Sequence, residues 1–237
     1  MNKLLPISVL LSTVLLSCMK EQEPEPELIR AYCNLYHFIP GMEGVIWQVD
    51  DSEVPEEQLY AQLLPGYIIL ESATDEMIFA VKHPGTKEVL VSQLVPLEQD
   101  KFYNVIVYGS EDDPTLLINE IDTNQPAAGK VKFQILHAIP NQGPIDLYMG
   151  DTTMDKRVLT ALDYQVLSDL FEVSDYDARV LMAATAHSDE YIPDSILIYS
   201  EYNDLVVSGA SYLSVITHHT WETDSKLTFW LYGLPMN

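Results

Sequence analysis

Two histidines are the first candidates for a chemical role, because each lies in the same short sequence motif and the motif occurs twice. His37 and His137 each open a His-x-x-Pro sequence, completed by Pro40 and Pro140, and the matching residues are 100 positions apart. Each histidine ends a stretch of alternating apolar residues, which is typical of a strand with one buried face, and it lies on the apolar face. We interpret both as structural groups that fix a strand-to-loop corner; a metal or ligand contact is the alternative, but neither copy offers further ligands nearby.

A second histidine pattern, THHTWE, occurs near the C-terminus. Successive strand residues point in opposite directions, so His218 and His219 cannot both face one metal ion, and no metal site is predicted there. Aromatic side chains can serve as flat platforms for sugar rings, although aromatic residues are common in strands for packing alone. His218, His219 and Trp221 are therefore candidate binding residues, with Tyr36 and Trp47 as further candidate platforms.

Catalytic motifs are missing from the chain, which has no Gly-x-Ser-x-Gly, phosphate loop, His-Glu-x-x-His or Cys-x-x-Cys sequence. Carboxylates cluster in SEDDP (110–114), VDDSE (49–53) and SDYDA (174–178), as expected by chance in so acidic a chain. Calcium prefers such oxygen ligands, but the spacing of a known calcium loop is absent. We predict no enzyme activity, no catalytic residue and no cofactor, with calcium as the alternative.

The N-terminus has the parts of an export signal. Lys3 precedes a short apolar run that ends in Leu-Ser-Cys, and this ending resembles the bacterial lipobox. Residues 1–17 are then the signal peptide, Cys18 is the lipid attachment site, and residues 18–29, rich in proline and glutamate, form a tether. We expect anchoring to the outer membrane through acyl chains, with display on the cell surface as an extension of that prediction.

The repeat determines the expected architecture. Residues 31–49 and 131–149 align without a gap, and each copy continues as short apolar runs separated by turn residues. This predicts an all-β chain of two tandem immunoglobulin-like β-sandwich domains, at 30–122 and 131–237, joined by a linker at 123–130. The predicted strands are 66–70, 76–81, 88–94, 101–109 and 115–120 in copy one, and 178–185, 195–200, 204–209, 211–218 and 227–233 in copy two.

Within the repeat, strand faces follow from parity. Cys33 occupies the position of Phe133, which indicates a buried small side chain, and no other cysteine except Cys18 could pair with it. The opposite strand face, which carries Tyr32, Asn34 and Tyr36, is expected to be wetter. Residues 153–172 are ambiguous and could hold a helical turn.

The two His-x-x-Pro motifs and the residues that follow them resemble those of a known family. Leu136 to Pro140, followed by Ile145-Asp146-Leu147-Tyr148, is similar to the His-x-x-Pro phrase of the bacterial family DUF4397, whereas copy one departs from it at Trp47-Gln48. The resemblance implies an exported, often lipid-anchored β domain, and it supplies no catalytic residues because the family has no assigned chemistry.

Composition narrows the classes of partner. The 36 acidic residues outnumber the 12 basic ones, for a formal charge of −24, and such a field repels nucleic acid. We expect a non-enzymatic, lipid-anchored envelope protein that binds a glycan or a protein and no nucleic acid. The alternatives are a carbohydrate-binding component of a surface polysaccharide system and a structural subunit of an adhesive assembly.

Overall fold

The structure is a computed structural model that describes residues 27–62, 66–186, 196–223 and 225–236. In this part of the chain strands dominate, and the only helical pieces are the 3-10 turns Met154–Lys156 and Asp177–Arg179. No helix among the described residues is long and apolar enough to cross a membrane. The predicted signal peptide and Cys18 lie outside the described residues.

The first half of the chain, here called unit 1, forms two sheets. The strands are β1 (Ile29–Phe38), β2 (Gly44–Val49), β3 (Ser52–Glu53), β4 (Gln58–Leu59), β5 (Ile68–Ser72), β6 (Glu76–Lys82), β7 (Val89–Pro96), β8 (Phe102–Gly109) and β9 (Pro114–Glu120). One sheet has the order β5-β1-β8-β9 and the other β3-β2-β6-β7, with β4 paired to β2. Side chains alternate between the two faces of each strand, and the facing sides of the two sheets enclose one apolar core around Trp47 and Phe79.

The second half, unit 2, repeats this plan with its own core around Phe133 and Leu147. The strands are β10 (Lys130–His137), β11 (Ile145–Met149), β12 (Arg157–Leu162), β13 (Phe171–Ser174), β14 (Val180–Thr185), β15 (Ile196–Glu201), β16 (Ser211–His218) and β17 (Leu227–Gly233). The two sheets have the orders β13-β10-β16-β17 and β12-β11-β14-β15. The predicted all-β class with two sandwiches is confirmed.

Strand register shows that the duplication is structural. β1 pairs in parallel with β8, and Cys33 lies opposite Tyr103; β10 pairs in parallel with β16, and Phe133 lies opposite Tyr212. The strands β8 and β16 are therefore equivalent in the two units. Cys33 is fully buried, as expected, and burial raises the pKa of its thiol to about 12.

One strand prediction needs correction, and one ambiguous stretch is resolved. Residues 204–209 form turns instead of a strand, because Tyr202 accepts the Leu205 and Val206 N–H groups through its backbone carbonyl and closes a local turn there. The ambiguous stretch 153–172 does contain a helical turn, Met154–Lys156, and it also contributes β12 and the start of β13. At 204–209, local apolar content did not reveal which backbone groups pair.

The strand face that we expected to be wetter is partly exposed at Tyr32 but buried at Asn34 and Tyr36. Tyr36 and Phe38 on β1, with Ile106 on β8, are almost fully buried because the sheet β5-β1-β8-β9 packs through its outer face against the sheet β13-β10-β16-β17. This inter-unit core also contains Leu136, Ala138, Leu213, Val215 and Tyr232. The described residues thus form one core inside each unit, one core between the units and a small cluster of Tyr148, Met182 and Ala184.

Candidate functional site

The His-x-x-Pro turns have the same geometry in both units. The His37 ring donates through Nε2 to the Met42 carbonyl (3.1 Å) and accepts the Ile39 N–H through Nδ1 (3.3 Å). His137 does the same with the Gly143 carbonyl (3.2 Å) and the Ile139 N–H (3.3 Å). Because a carbonyl only accepts and an N–H only donates, both rings are neutral with the proton on Nε2.

Burial keeps these rings uncharged. It lowers the pKa of His37 to about 4 and lowers the pKa of His137 in the same direction. Both nitrogens of each ring are used within the protein, so the rings hold the turn between β1 and β2, or β10 and β11, in place.

The backbone carbonyl of each histidine also holds a second segment of the chain, which contains Ala61 in unit 1 and Gln165 in unit 2. The His37 carbonyl accepts the Ala61 N–H (2.8 Å), and the His137 carbonyl accepts the Gln165 N–H (2.8 Å). Ala61 and Gln165 both have a positive φ, 55° and 67°, and the tyrosine before each, Tyr60 in unit 1, packs edge-on against its histidine. The two segments are therefore structural equivalents.

These segments reach across the interface. The Tyr60 hydroxyl contacts the Thr217 hydroxyl (3.2 Å) and donates to the His218 carbonyl (3.1 Å), at the end of β16. In the equivalent place, the Gln165 carbonyl accepts the Tyr108 hydroxyl (3.2 Å) at the end of β8. The interface thus has two equivalent ends, each made by one segment and one hairpin.

The hairpins at these ends differ. In unit 1, β8 and β9 are joined by residues 110–113, whereas in unit 2, β16 and β17 are joined by the longer residues 219–226. The longer hairpin is tied to the first His-x-x-Pro turn, because the Gly41 N–H donates to the Trp221 carbonyl (2.5 Å). Gly41 has φ +94°, a conformation that L side chains rarely adopt.

A cavity of about 240 Å³ opens where this longer hairpin meets unit 1. We call it the seam cleft. The His219 ring stacks on Trp230 (centroids 5.6 Å apart, planes at 10°), and Trp221 is 39% exposed. The lining consists of Glu43, Leu59, Tyr60 and Gln62 from unit 1 and His219, Thr220, Trp221 and Trp230 from unit 2.

The three candidate residues of THHTWE have different positions. His219 and Trp221 line the seam cleft. His218 contributes its backbone carbonyl, which accepts Tyr60 and the Trp230 Nε1–H (3.1 Å). Its ring Nδ1 is buried without a hydrogen-bond partner, and burial lowers the pKa of the ring.

The other two candidate platforms are wrong. Trp47 is fully buried in the unit 1 core, where its Nε1–H donates to Gln58 (2.9 Å), and Tyr36 is fully buried between the units. Neither ring can meet a ligand.

The acidic clusters do not form a metal centre among the described residues, where no three histidine, cysteine, aspartate or glutamate side chains are close enough to hold an ion. Residues 110–113 form the tight hairpin between β8 and β9. In SDYDA, Asp177 pairs with Lys156 (2.8 Å).

Comparison with known families finds one family model that matches the repeated region. The family model described as Domain of unknown function (DUF4397) matches residues 31–148. Residues 31–148 of this chain belong to the DUF4397 family. The match runs from β1 to β11 and so includes both His-x-x-Pro phrases. No curated protein matches the chain.

The DUF4397 match assigns no function to any residue, so the candidate site is argued from its geometry alone. Sequence reasoning missed the unit 1 half of the seam cleft, namely Glu43, Leu59, Tyr60 and Gln62. No periodicity or motif marks these residues; only the docking of the units brings them beside THHTWE.

Proposed function

We propose that this DUF4397 protein is a non-enzymatic binding module, lipid-anchored to the outer membrane, and that its seam cleft takes a sugar ring of a glycan. The observation that carries the proposal is the asymmetry between two equivalent ends of one interface. Only at the longer hairpin do an exposed tryptophan, a stacked His219–Trp230 pair and a cavity occur together.

The chemistry of the lining supports a sugar. An exposed indole presents an apolar face of the kind that packs against the C–H face of a pyranose, while Glu43, Gln62 and Thr220 supply hydrogen-bonding groups around it. At about 240 Å³, the cavity is smaller than the roughly 300–1,000 Å³ of sites for drug-sized ligands, which favours one ring of a longer chain.

Charge narrows the class of glycan. The chain carries a formal charge of −24, and Glu43 is part of the lining. Acidic sugars would be repelled by this field, so neutral or amino sugars are favoured.

The glycan proposal is tested with an array of neutral, amino and acidic glycans, followed by calorimetry on the strongest ligand. The variant Trp221→Ala should weaken binding by about tenfold or more, as loss of a central aromatic contact does. The matched control is Tyr176→Ala, which removes an aromatic ring that is 76% exposed elsewhere and should leave affinity unchanged. No signal above background, or equal binding by both variants, would refute the proposal.

The same samples test the absence of catalysis. Glycans recovered after long incubation with the protein should have an unchanged mass. A shortened product that depends on the protein would show an enzyme instead.

The anchor needs a separate experiment. Mass spectrometry of the protein from its native membrane should find a mature chain that begins at Cys18 and carries acyl mass. Several acyl chains hold a protein to a bilayer because each buried methylene contributes about 0.8 kcal/mol. An unmodified Cys18 would refute the anchor without affecting the seam cleft.

A further inference from the structure

Unit 1 has a second cavity, on the side where its two sheets do not close. It lies between the edge strands β5 and β3, has a volume of about 420 Å³, and is here called the edge cleft. Its floor is apolar, and Ile69 on its rim is 58% exposed. The lining consists of Val49, Asp50, Ser52, Glu53, Val54, Pro55, Ile68, Ile69, Leu70, Glu71 and Met77.

The equivalent cavity of unit 2 is smaller than the edge cleft. Met149 takes the position of Val49, and Val173 takes that of Leu70, because Val173 pairs with Val131 as Leu70 pairs with Ala31. The cavity there is only about 200 Å³. A pair absent from unit 1, Lys156 with Asp177, spans the opening at 2.8 Å.

The ion pair that narrows the cavity in unit 2 lies on two short segments that the described part of unit 1 lacks. In unit 2 the 3-10 turns Met154–Lys156 and Asp177–Arg179 follow β11 and β13, and they supply the two partners of the ion pair. In unit 1 the chain passes from β2 through the two-residue strand β3, and from β5 to β6 through the short connection 73–75, which crosses from one sheet to the other. The same place in the fold is therefore narrowed in unit 2 and wide in unit 1.

An unpaired strand edge runs along this cleft. β5 is the terminal strand of its sheet, and among the described strands it pairs only with β1. An added strand would extend the sheet by hydrogen bonding to β5, and every second side chain of that strand would enter the cleft beside Ile68 and Leu70. An extended peptide satisfies both the backbone edge and the apolar floor, which a compact apolar molecule does not.

Charge around the mouth specifies the ends of such a peptide. Residues 50–57, with the sequence DDSEVPEE, carry five carboxylates and no basic residue. Glu53 pairs with Lys82 (2.8 Å), but Asp51, Glu56 and Glu57 form no ion pair with any described residue. A basic peptide would be attracted to this surface and an acidic one repelled.

We propose that the edge cleft is the docking site of an extended segment of a partner protein, with apolar side chains at alternate positions and lysine or arginine at its ends. The segment adds to β5 as a strand. This interaction is independent of the seam cleft, since the two cavities share no residue.

The probe is a labelled synthetic nonapeptide, Lys-Thr-Val-Thr-Val-Thr-Val-Thr-Lys, titrated with the full mature chain and followed by fluorescence anisotropy. We expect saturable binding, and a peptide with glutamate at both ends should bind at least about tenfold more weakly. The double variant D51N/E56Q should weaken binding of the lysine peptide about threefold and reduce its salt dependence. The control D112N/D204N removes the same charge from distant exposed positions and should have no effect.

A plug variant tests the location. Val54→Trp fills the mouth of the edge cleft, as the Lys156–Asp177 pair does in unit 2, and should abolish peptide binding. Val89→Trp, at an exposed position on the distant edge strand β7, should not, and far-ultraviolet circular dichroism of both variants checks that they fold. No binding of the lysine peptide, or equal binding by both variants, would overturn the proposal. So would uptake of anilinonaphthalene sulfonate that Val54→Trp blocks while no peptide binds, because the cleft would then take a small apolar molecule.

Discussion

At the scale of single residues, His37 and His137 are neutral hydrogen-bonding groups locked into the start of a loop. Each uses both ring nitrogens, and His37 has no exposed surface. Protonation of Nδ1 would place a proton against the Ile39 N–H and a charge in an apolar interior. The family's histidine is therefore explained by the turn it holds.

This arrangement predicts a specific pH dependence of stability. His37 has a folded pKa of about 4 against an ordinary value of 6.5, so between these values the unfolded chain binds the proton that the folded chain refuses. The free energy of unfolding should fall as pH drops from about 6.5 to about 4, by roughly 3 kcal/mol, and this contribution should level off below that range. Urea titrations of the wild type and His37→Gln across this range measure the difference.

Glutamine can donate to Met42 and accept from Ile39, so His37→Gln should cost only about 1–2 kcal/mol at pH 7.5 and should lose the pH step. The remaining acid sensitivity, which comes from the other titrating groups, is common to both proteins and cancels in the difference. An identical pH profile for the two proteins would show that His37 is not the group that titrates.

Asp146, from the IDLY phrase, is the other residue of the family pattern that the structure explains. It is 1% exposed, accepts the Ala161 N–H (2.8 Å) and pairs with Arg157 (3.2 Å). Asp146→Ala removes this ion pair and should cost about 3–5 kcal/mol in chemical unfolding. Asp146→Ile combined with Arg157→Met removes both charges and should cost clearly less; equal losses would mean that packing, and not the ion pair, is what the aspartate supplies.

At the scale of elements, the hairpin between β16 and β17 is the feature that most clearly distinguishes unit 2 from unit 1. It is tied down by its backbone through Gly41, while its side chains His219 and Trp221 face the seam cleft. The equivalent β8–β9 hairpin is shorter, because residues 110–113 close it in a tight turn.

A loop exchange tests this interpretation. Replacing residues 219–226 by the sequence Ser-Glu-Asp-Asp of residues 110–113 should preserve the fold, since β16 and β17 and the Tyr60 contacts at Thr217 and His218 remain. We expect a fall in melting temperature of only a few degrees and complete loss of any glycan binding found for the wild type. Retained binding would place the ligand outside the seam cleft.

At the scale of the whole molecule, the two sandwiches are joined by the inter-unit core and not only by the chain between them. Tyr232 donates to the Ala61 carbonyl (2.8 Å), and Asn119 donates to Gln134 (2.9 Å) across the same interface. The apolar side chains between these bonds are as buried as those inside each unit. Separating the units would expose that surface, so their stabilities should be coupled.

Calorimetry measures the coupling. The wild type should unfold in one transition, whereas Leu136→Asp, which places an unpaired charge in the inter-unit core, should split it into two or lower it by several degrees. Val89→Asp, at a position that is 55% exposed, is the control and should change little. Two transitions in the wild type would show that the units fold independently.

The sequence alone determined the duplication, the β class and the burial of Cys33, because alternation along a strand and a shared register are local properties that parity reveals. It also located the turns at Pro40 and Pro140. Tertiary structure decided the rest: whether Tyr36 faces water or another unit, whether Trp47 or Trp221 is accessible, and which residues of unit 1 meet the second hairpin. Those outcomes depend on contacts between residues far apart in the chain, and one strand's pattern carries no record of what packs against its outer face.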